Sequence, residues 1–178
     1  MIINLATDYI PEVIIPNEYF FVRYGITNEE IVAKSGIKQR RRTRSDENTN
    51  AMAIDAVSVK PNNGGIKMPF GKDVFQYACK YMRLEIERIL LKNGILPDQL
   101  NFFIPHQANA GITDYVAKTL NLEPKRVLSN IEQFGNTGSA STPIVLSQNW
   151  NRFKQNVIIV IAVFGGGYSS GSALLKKF

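Results

Sequence analysis

The unbroken apolar run from Val157 to Val163 limits what this chain can fold into more than any other stretch. Successive side chains of a strand point to opposite faces, so a strand that is apolar at every position must be covered on both sides. Coverage of that kind comes from helices layered over a central sheet, and the rest of the sequence supplies them. Phe75, Ala78, Met82, Ile86 and Ile89 recur at spacings of three and four, which predicts a helix over Asp73 to Lys92 that stops at Asn93-Gly94. Ile112, Val116 and Leu120 predict a second over Asn109 to Leu120, and Thr142 to Phe153 reads as a third, with Pro143 placed in its first turn. Between them Leu100 to Ile104 reads as a buried strand, Arg126 to Ile131 as a short strand or extended segment, and Gly171 to Phe178 as a last strand. The expected class is α/β, with helices packed on a mixed sheet. Even extended to Phe164, the apolar run is far short of the ~20 residues that a membrane-spanning helix needs.

The first third is weaker in pattern. Residues 1–16, MIINLATDYIPEVIIP, give a strand-like opening with a turn at Tyr9 to Pro11. Thr27 to Ser35 reads as a helix: Thr27 can cap it, Glu30 completes a capping box three residues on, and Gly36 stops it. Lys38 to Arg44, KQRRRTR, is the strongest charge run and reads first as a solvated basic loop with some arginines paired to carboxylates. From Asp46 a helix-like start places Met52, Ala53, Ala56 and Val57 on one side, then collapses into SVKPNNGG, a break in composition.

The formal net charge of +6 and a pI near 9.5 favour an acidic partner, whether nucleic acid, a phosphate-bearing cofactor, anionic lipid or an acidic protein. No aromatic residue interleaves Lys38 to Arg44, so stacking on single-stranded bases is not indicated. One cysteine, Cys79, excludes an internal disulfide framework, and one cysteine with one histidine cannot build the usual zinc site. A reducing, cytoplasmic setting is expected, and the N-terminus lacks a basic leader. Cys79 lies beside the apolar face of its helix and is expected to be buried and inert.

The only histidine, His106, sits in FFIPHQANAGIT, directly after a strand and before a helix, where open α/β sheets place their chemistry. Two further loops accompany it, QFGNTGSAS around Asn136 and the triple glycine Gly165, Gly166 and Gly167. A neutral imidazole and a side-chain amide can each donate a hydrogen bond to a developing oxyanion. The residues alone leave other readings open: a satisfied structural histidine, a Gly-Asn-Thr turn, and glycines that merely connect two strands. GGGYSSG is not a dinucleotide fingerprint, because it opens a strand rather than a helix.

The set IPHQAN, FGNTGSAS and FGGGYSSGSALL, in this order and at these separations, resembles the C-terminal half of β-ketoacyl-acyl-carrier-protein synthase III, in the thiolase superfamily. The resemblance covers residues 66–178 continuously, including MPFGKDVFQYA. It extends to the opening 57 residues through Tyr9-Ile10-Pro11-Glu12, the Glu29 to Ile37 helix ending in Ser-Gly-Ile, and the basic run. It implies a partial thiolase-like fold and a decarboxylative Claisen condensation: a cysteine takes an acyl group from coenzyme A, and malonyl carrier protein loses carbon dioxide to supply the carbanion. By the same resemblance His106 and Asn136 bind the malonyl thioester carbonyl, Phe164 and Gly165 to Gly167 shape the acyl pocket, Asn109 and Gly71 lie along the pantetheine tunnel, and Phe75 forms its wall. No metal or redox cofactor is implied; acyl-coenzyme A and malonyl carrier protein are substrates. The implied partners are acyl carrier protein, a coenzyme A thioester and a second copy in a homodimer, with no nucleic acid and no membrane.

The sequence departs from that pattern at its centre. The family's nucleophilic cysteine belongs to a segment that would fall between Val57 and Ser58, so residues 1–57 read as a remnant of the N-terminal thiolase-like half and 58–178 as the C-terminal half. Without the nucleophile, condensation is expected to fail, and the alternative is a non-catalytic module, a pseudoenzyme or deletion product, that holds an acyl thioester or an acidic partner. Gly111 stands where members often carry an arginine for the carrier protein, and Glu30 and Lys34 where an aromatic and an arginine often sandwich the adenine.

Overall fold

The computed structural model describes residues 10, 12–42, 71–165 and 168–178. The helix-like start at Asp46, the break at SVKPNNGG, the 57/58 boundary, the turn at Tyr9 to Pro11 except Ile10, and Gly166 and Gly167 lie outside the described residues.

The apolar run becomes β4 (Ile158–Gly165), the middle strand of a three-stranded sheet. On one side it pairs in parallel with β3 (Phe102–Pro105), Phe103 opposite Val160 and Pro105 opposite Ala162. On the other it pairs antiparallel with β5 (Ser169–Lys176), from Ile158 opposite Lys176 to Gly165 opposite Ser169. The sheet is therefore mixed, and both faces of its centre are dry. Phe103, Val160, Ala162 and Phe164 face one cluster, built with α3 (Gly71–Lys92) and α4 (Ala110–Thr119). Ile104 and Ile159 face a second, built with Leu128, Phe153, and Val145 and Leu146 of α6 (Ser141–Gln148). Helix α3 contributes Ala78, Cys79, Met82, Ile86 and Leu90, a stripe at helical spacing. Its Glu85 is pinned to β5, where the Ser172 hydroxyl lies 3.1 Å from the Glu85 carbonyl and 3.3 Å from its carboxylate.

Residues 12–42 form a smaller unit against this body. β1 (Val13–Pro16) and β2 (Gln39–Arg42) make an antiparallel ribbon, and α1 (Glu18–Tyr24) and α2 (Asn28–Ser35) lie between them in sequence. The capping box of α2 is formed, with the Thr27 and Glu30 side chains each accepting from the other's backbone N–H at 3.2 and 2.9 Å, and Gly36 ends the helix at φ +75°.

Two expectations are corrected and a third, the extended segment after Arg126, is narrowed. The basic run is not a solvated loop over Gln39 to Arg42 but a strand: Arg40 lies 4.4 Å over the Phe20 ring and Arg41 5.6 Å over Phe134, so their stems and guanidinium faces cover aromatic rings. Arg126 to Ile131 forms only a single bridge, Val127 to Phe103, before α5 (Ile131–Phe134) begins. Gln107 Oε1 accepts from the Ser129 hydroxyl (2.6 Å) and the Asn130 N–H (3.1 Å), holding the chain there away from further ladder pairing. The third helix ends at Gln148 rather than Phe153, because Asn149 Nδ2 donates to the Val145 carbonyl of the last turn and a 3-10 turn, Trp150–Arg152, follows.

Candidate active site

β3 and β4 run in parallel, so their carboxyl ends share one edge of the sheet, and this edge is where His106 stands. The His106 backbone N–H donates to the Ala162 carbonyl at 2.9 Å, which ties the residue to β4, the strand that ends at Gly165. Its imidazole Nδ1 lies 2.8 Å from Ser141 Oγ, at the first residue of α6. Nε2 has no hydrogen-bond partner among the described residues. Half-burial lowers the His106 pKa from its ordinary value by disfavouring the charged ring, so the imidazole is neutral at pH 7. Next to it Gln107 is fully buried; besides receiving Ser129 and Asn130, it donates from Nε2 to the Pro105 carbonyl at 2.7 Å. The turn out of β3 is thus clamped from within.

Asn136 lies on the loop between α5 and α6, the loop that ends at Ser141. Its Oδ1 accepts from the Gly138 N–H at 3.0 Å, an Asx-type turn, and Gly138 itself sits at φ +60°. That bond orients the amide so that Nδ2, the donor, is left without a partner among the described residues and the side chain is solvent-accessible. His106 and Asn136 are therefore carried by two segments joined at Ser141, each with one end of its side chain pinned and a nitrogen unengaged.

Phe164 is buried at the end of β4 and Gly165 beside it is exposed. The Phe164 ring stacks with Tyr81 at 6.3 Å and meets Tyr168 at 5.4 Å, and Tyr77 lies 5.3 Å from Tyr168. Sequence reasoning missed these tyrosines. Their signal was the four-residue spacing of Tyr77 and Tyr81 just off the apolar face of α3.

The remaining candidates take quieter places. Asn109 caps α4, accepting from the Gly111 N–H at 2.8 Å, and donates from Nδ2 to the Lys34 carbonyl at 2.6 Å, so both ends of its amide are engaged within the chain. The half-buried Phe75 ring packs over Gly111, 3.4 Å from where a Cβ would stand. Gly71 opens α3 in the exposed state, with nothing among the described residues within 4 Å of where a Cβ would stand. Cys79 is buried in the core and burial raises its thiol pKa, the reverse of what a nucleophile needs. No cluster of His, Cys, Asp and Glu among the described residues could hold a metal ion, and no described helix is long and apolar enough to cross a membrane. A groove of about 420 Å³ runs between α4 and the segment before α5, past Asp114, Lys118 and Glu132, but neither His106 nor Asn136 lines it.

The fold is thiolase-like. It superposes on the crystal structure of 3-oxoacyl-[acyl-carrier-protein] synthase III from Aquifex aeolicus VF5 with a TM-score of 0.83, covering 94% of this chain and 97% of that one at 18% identity. Residues 90–177 match the family described as 3-oxoacyl-[acyl-carrier-protein (ACP)] synthase III C terminal. The β-ketoacyl-[acyl-carrier-protein] synthase III of Xanthomonas oryzae pv. oryzae is 35% identical over 141 residues, 75% of this chain and 43% of that protein. The enzyme of the same name from Xanthomonas campestris pv. campestris is 38% identical over 117 residues, 65% of this chain and 36% of that protein. The C-terminal half of the chain matches the ketoacyl synthase III family, and the chain spans less than half the length of these curated relatives.

Proposed function

We propose that this chain is the carbonyl-binding half of a ketoacyl synthase III type acyltransferase, built to polarise the thioester of malonyl carrier protein. The observation that carries the reading is the matched state of two side chains. His106 is neutral, with Nδ1 engaged and Nε2 without a partner among the described residues, and Asn136 is held by Oδ1 with Nδ2 likewise unengaged. Two neutral donors on adjoining loops suit a carbonyl oxygen that becomes an enolate. As the bond from the malonyl α-carbon to its carboxylate breaks, the electron pair moves into the thioester, the oxyanion rests on Nε2 and Nδ2, and carbon dioxide leaves. Protonation of the enolate carbon by solvent then gives the acetyl thioester.

Condensation would need that carbon to attack an acyl group held on a cysteine sulfur, with thiolate departing. The one cysteine, Cys79, is inside the core, so decarboxylation without condensation is the activity this chain supports. No metal or redox cofactor takes part. Its partners are acyl carrier protein, which delivers the malonyl group and whose acidic surface suits the +6 charge, and a coenzyme A thioester that is held without acyl transfer; a homodimer in the cytoplasm completes the reading.

The test is malonyl decarboxylation measured as carbon dioxide release, with mass spectrometry after incubation with acyl-coenzyme A. Asn136→Asp keeps the acceptor for Gly138 and removes the donor, and is expected to lower decarboxylation by about 10²–10³. Intact mass is expected to stay unchanged. An acyl adduct on Cys79 would overturn the assignment, and so would decarboxylation indifferent to both His106 and Asn136.

A further inference from the structure

Ser141, a residue with no expected role in the sequence, has the contacts needed to decide which nitrogen of His106 carries the proton. Its hydroxyl is buried, at 1% exposure, and has two hydrogen-bond partners among the described residues: His106 Nδ1 at 2.8 Å and the backbone N–H of Gln107 at 3.4 Å. The Gln107 amide can only donate, so it occupies an acceptor site on Oγ. If Nδ1 also carried a proton, Oγ would accept twice and its own hydrogen would be buried with nothing to receive it. The arrangement is satisfied throughout only when the hydroxyl donates to an unprotonated Nδ1, and the proton of the neutral ring then sits on Nε2.

We infer that Ser141 is a positioning residue that fixes His106 in the Nε2–H tautomer, aiming a donor rather than a lone pair at whatever carbonyl enters the site. The same hydroxyl ties this choice to the loop that carries Asn136, because Ser141 ends that loop and begins α6. The two donors are thereby set together. The inference rests on the carbonyl-binding reading for its purpose, but the tautomer is a property of the free protein and can be read without substrate.

Having one histidine makes the measurement direct. In ¹⁵N-histidine-labelled protein, long-range proton–nitrogen correlation assigns the protonation of each ring nitrogen. The expected result at neutral pH is a protonated Nε2 and an unprotonated, hydrogen-bonded Nδ1, with Ser141→Ala moving both resonances toward the averaged values of an unconstrained ring and Ser141→Thr restoring them. A wild-type ring protonated on Nδ1 overturns the inference, as does a folded S141A whose ring resonances do not move. Should S141A fail to fold, the wild-type spectrum alone decides. In the decarboxylation assay S141A is expected to lower kcat by roughly 10–100-fold with KM little changed, as for other partners that orient a functional imidazole. If wild type has no decarboxylase activity while the tautomer is as expected, the functional reading fails and the positioning role of Ser141 stands.

Discussion

At the scale of single residues, the environment of His106 makes a prediction about pH. Burial lowers its pKa in the folded chain below the ordinary value of about 6.5. In the unfolded chain the ring titrates near that ordinary value, so below it the unfolded state binds more protons than the folded one, and stability falls as pH falls through the window between the two pKa values. Above pH 6.5 both states are neutral and the effect vanishes. Urea midpoints measured from pH 7.5 down to pH 5 should therefore drop more steeply for wild type than for His106→Gln; identical slopes would show that the imidazole is as easily charged in the fold as in water. His106 itself was legible in the sequence because it follows an apolar run directly. Ser141 was not, since a serine among small residues carries no periodicity and its contact lies 35 positions away. Gln107 was hidden for a related reason: a glutamine after a strand reads as polar surface, and only the folded chain shows it buried with its amide donating to one partner and accepting from two.

At the scale of elements, local signals were read well and pairings were not. The capping box of α2 and the stripe of α3 depend on residues three and four apart, and both formed as the spacing predicts. β2 depends on a partner strand more than twenty residues earlier and on aromatic rings from α1 and α5, so its arginines looked merely solvated. The join between α2 and α4 is another long-range contact that local spacing does not reveal. Gly36 holds φ at +75°, and a Cβ built there would stand 2.5 Å from the Ala110 Cβ, at the first residue of α4. Both backbone conformation and space thus exclude a side chain at Gly36. Gly36→Ala should cost about 2–4 kcal/mol from strain and overpacking together, read as a lower urea midpoint. Gly25→Ala is the control: it shares the left-handed conformation at φ +70° but has nothing among the described residues within 4 Å of its Cβ position, so it should lose only the conformational part, about 1 kcal/mol. Equal losses at the two sites would show that α2 does not press on α4.

At the scale of the whole molecule, the question is whether residues 12–42 are a separate appendage or part of the body that holds the site. Several contacts join them to the C-terminal half, among them the Asn109–Lys34 hydrogen bond and Arg41 over Phe134, and two others can be weighed against each other. One is the ion pair of Lys38 with Glu132 at 2.8 Å, both side chains more than 60% exposed. The other is apolar: Ile37, 9% exposed, packs on Gly135 at the entrance to the Asn136 loop, with its methyl carbons 3.5 Å from where a glycine Cβ would stand. Magnitudes separate them. An exposed ion pair contributes at most ~1 kcal/mol, because water screens it and two long side chains must be held still. Truncating a buried isoleucine costs about 2–3 kcal/mol at such a rim position through lost burial and the space left behind. The single tryptophan, Trp150, reports on the C-terminal half, where it meets Phe153 and lies under Lys177 at 4.8 Å. If the N-terminal unit folds cooperatively with that half, Ile37→Ala should lower the urea midpoint of the Trp150 fluorescence transition by about 1 M or more, while Lys38→Ala shifts it by less than half as much. An unmoved Trp150 transition in I37A, with far-UV signal lost at lower urea, would mean that the ribbon melts by itself and that the Asn136 loop keeps its shape without it.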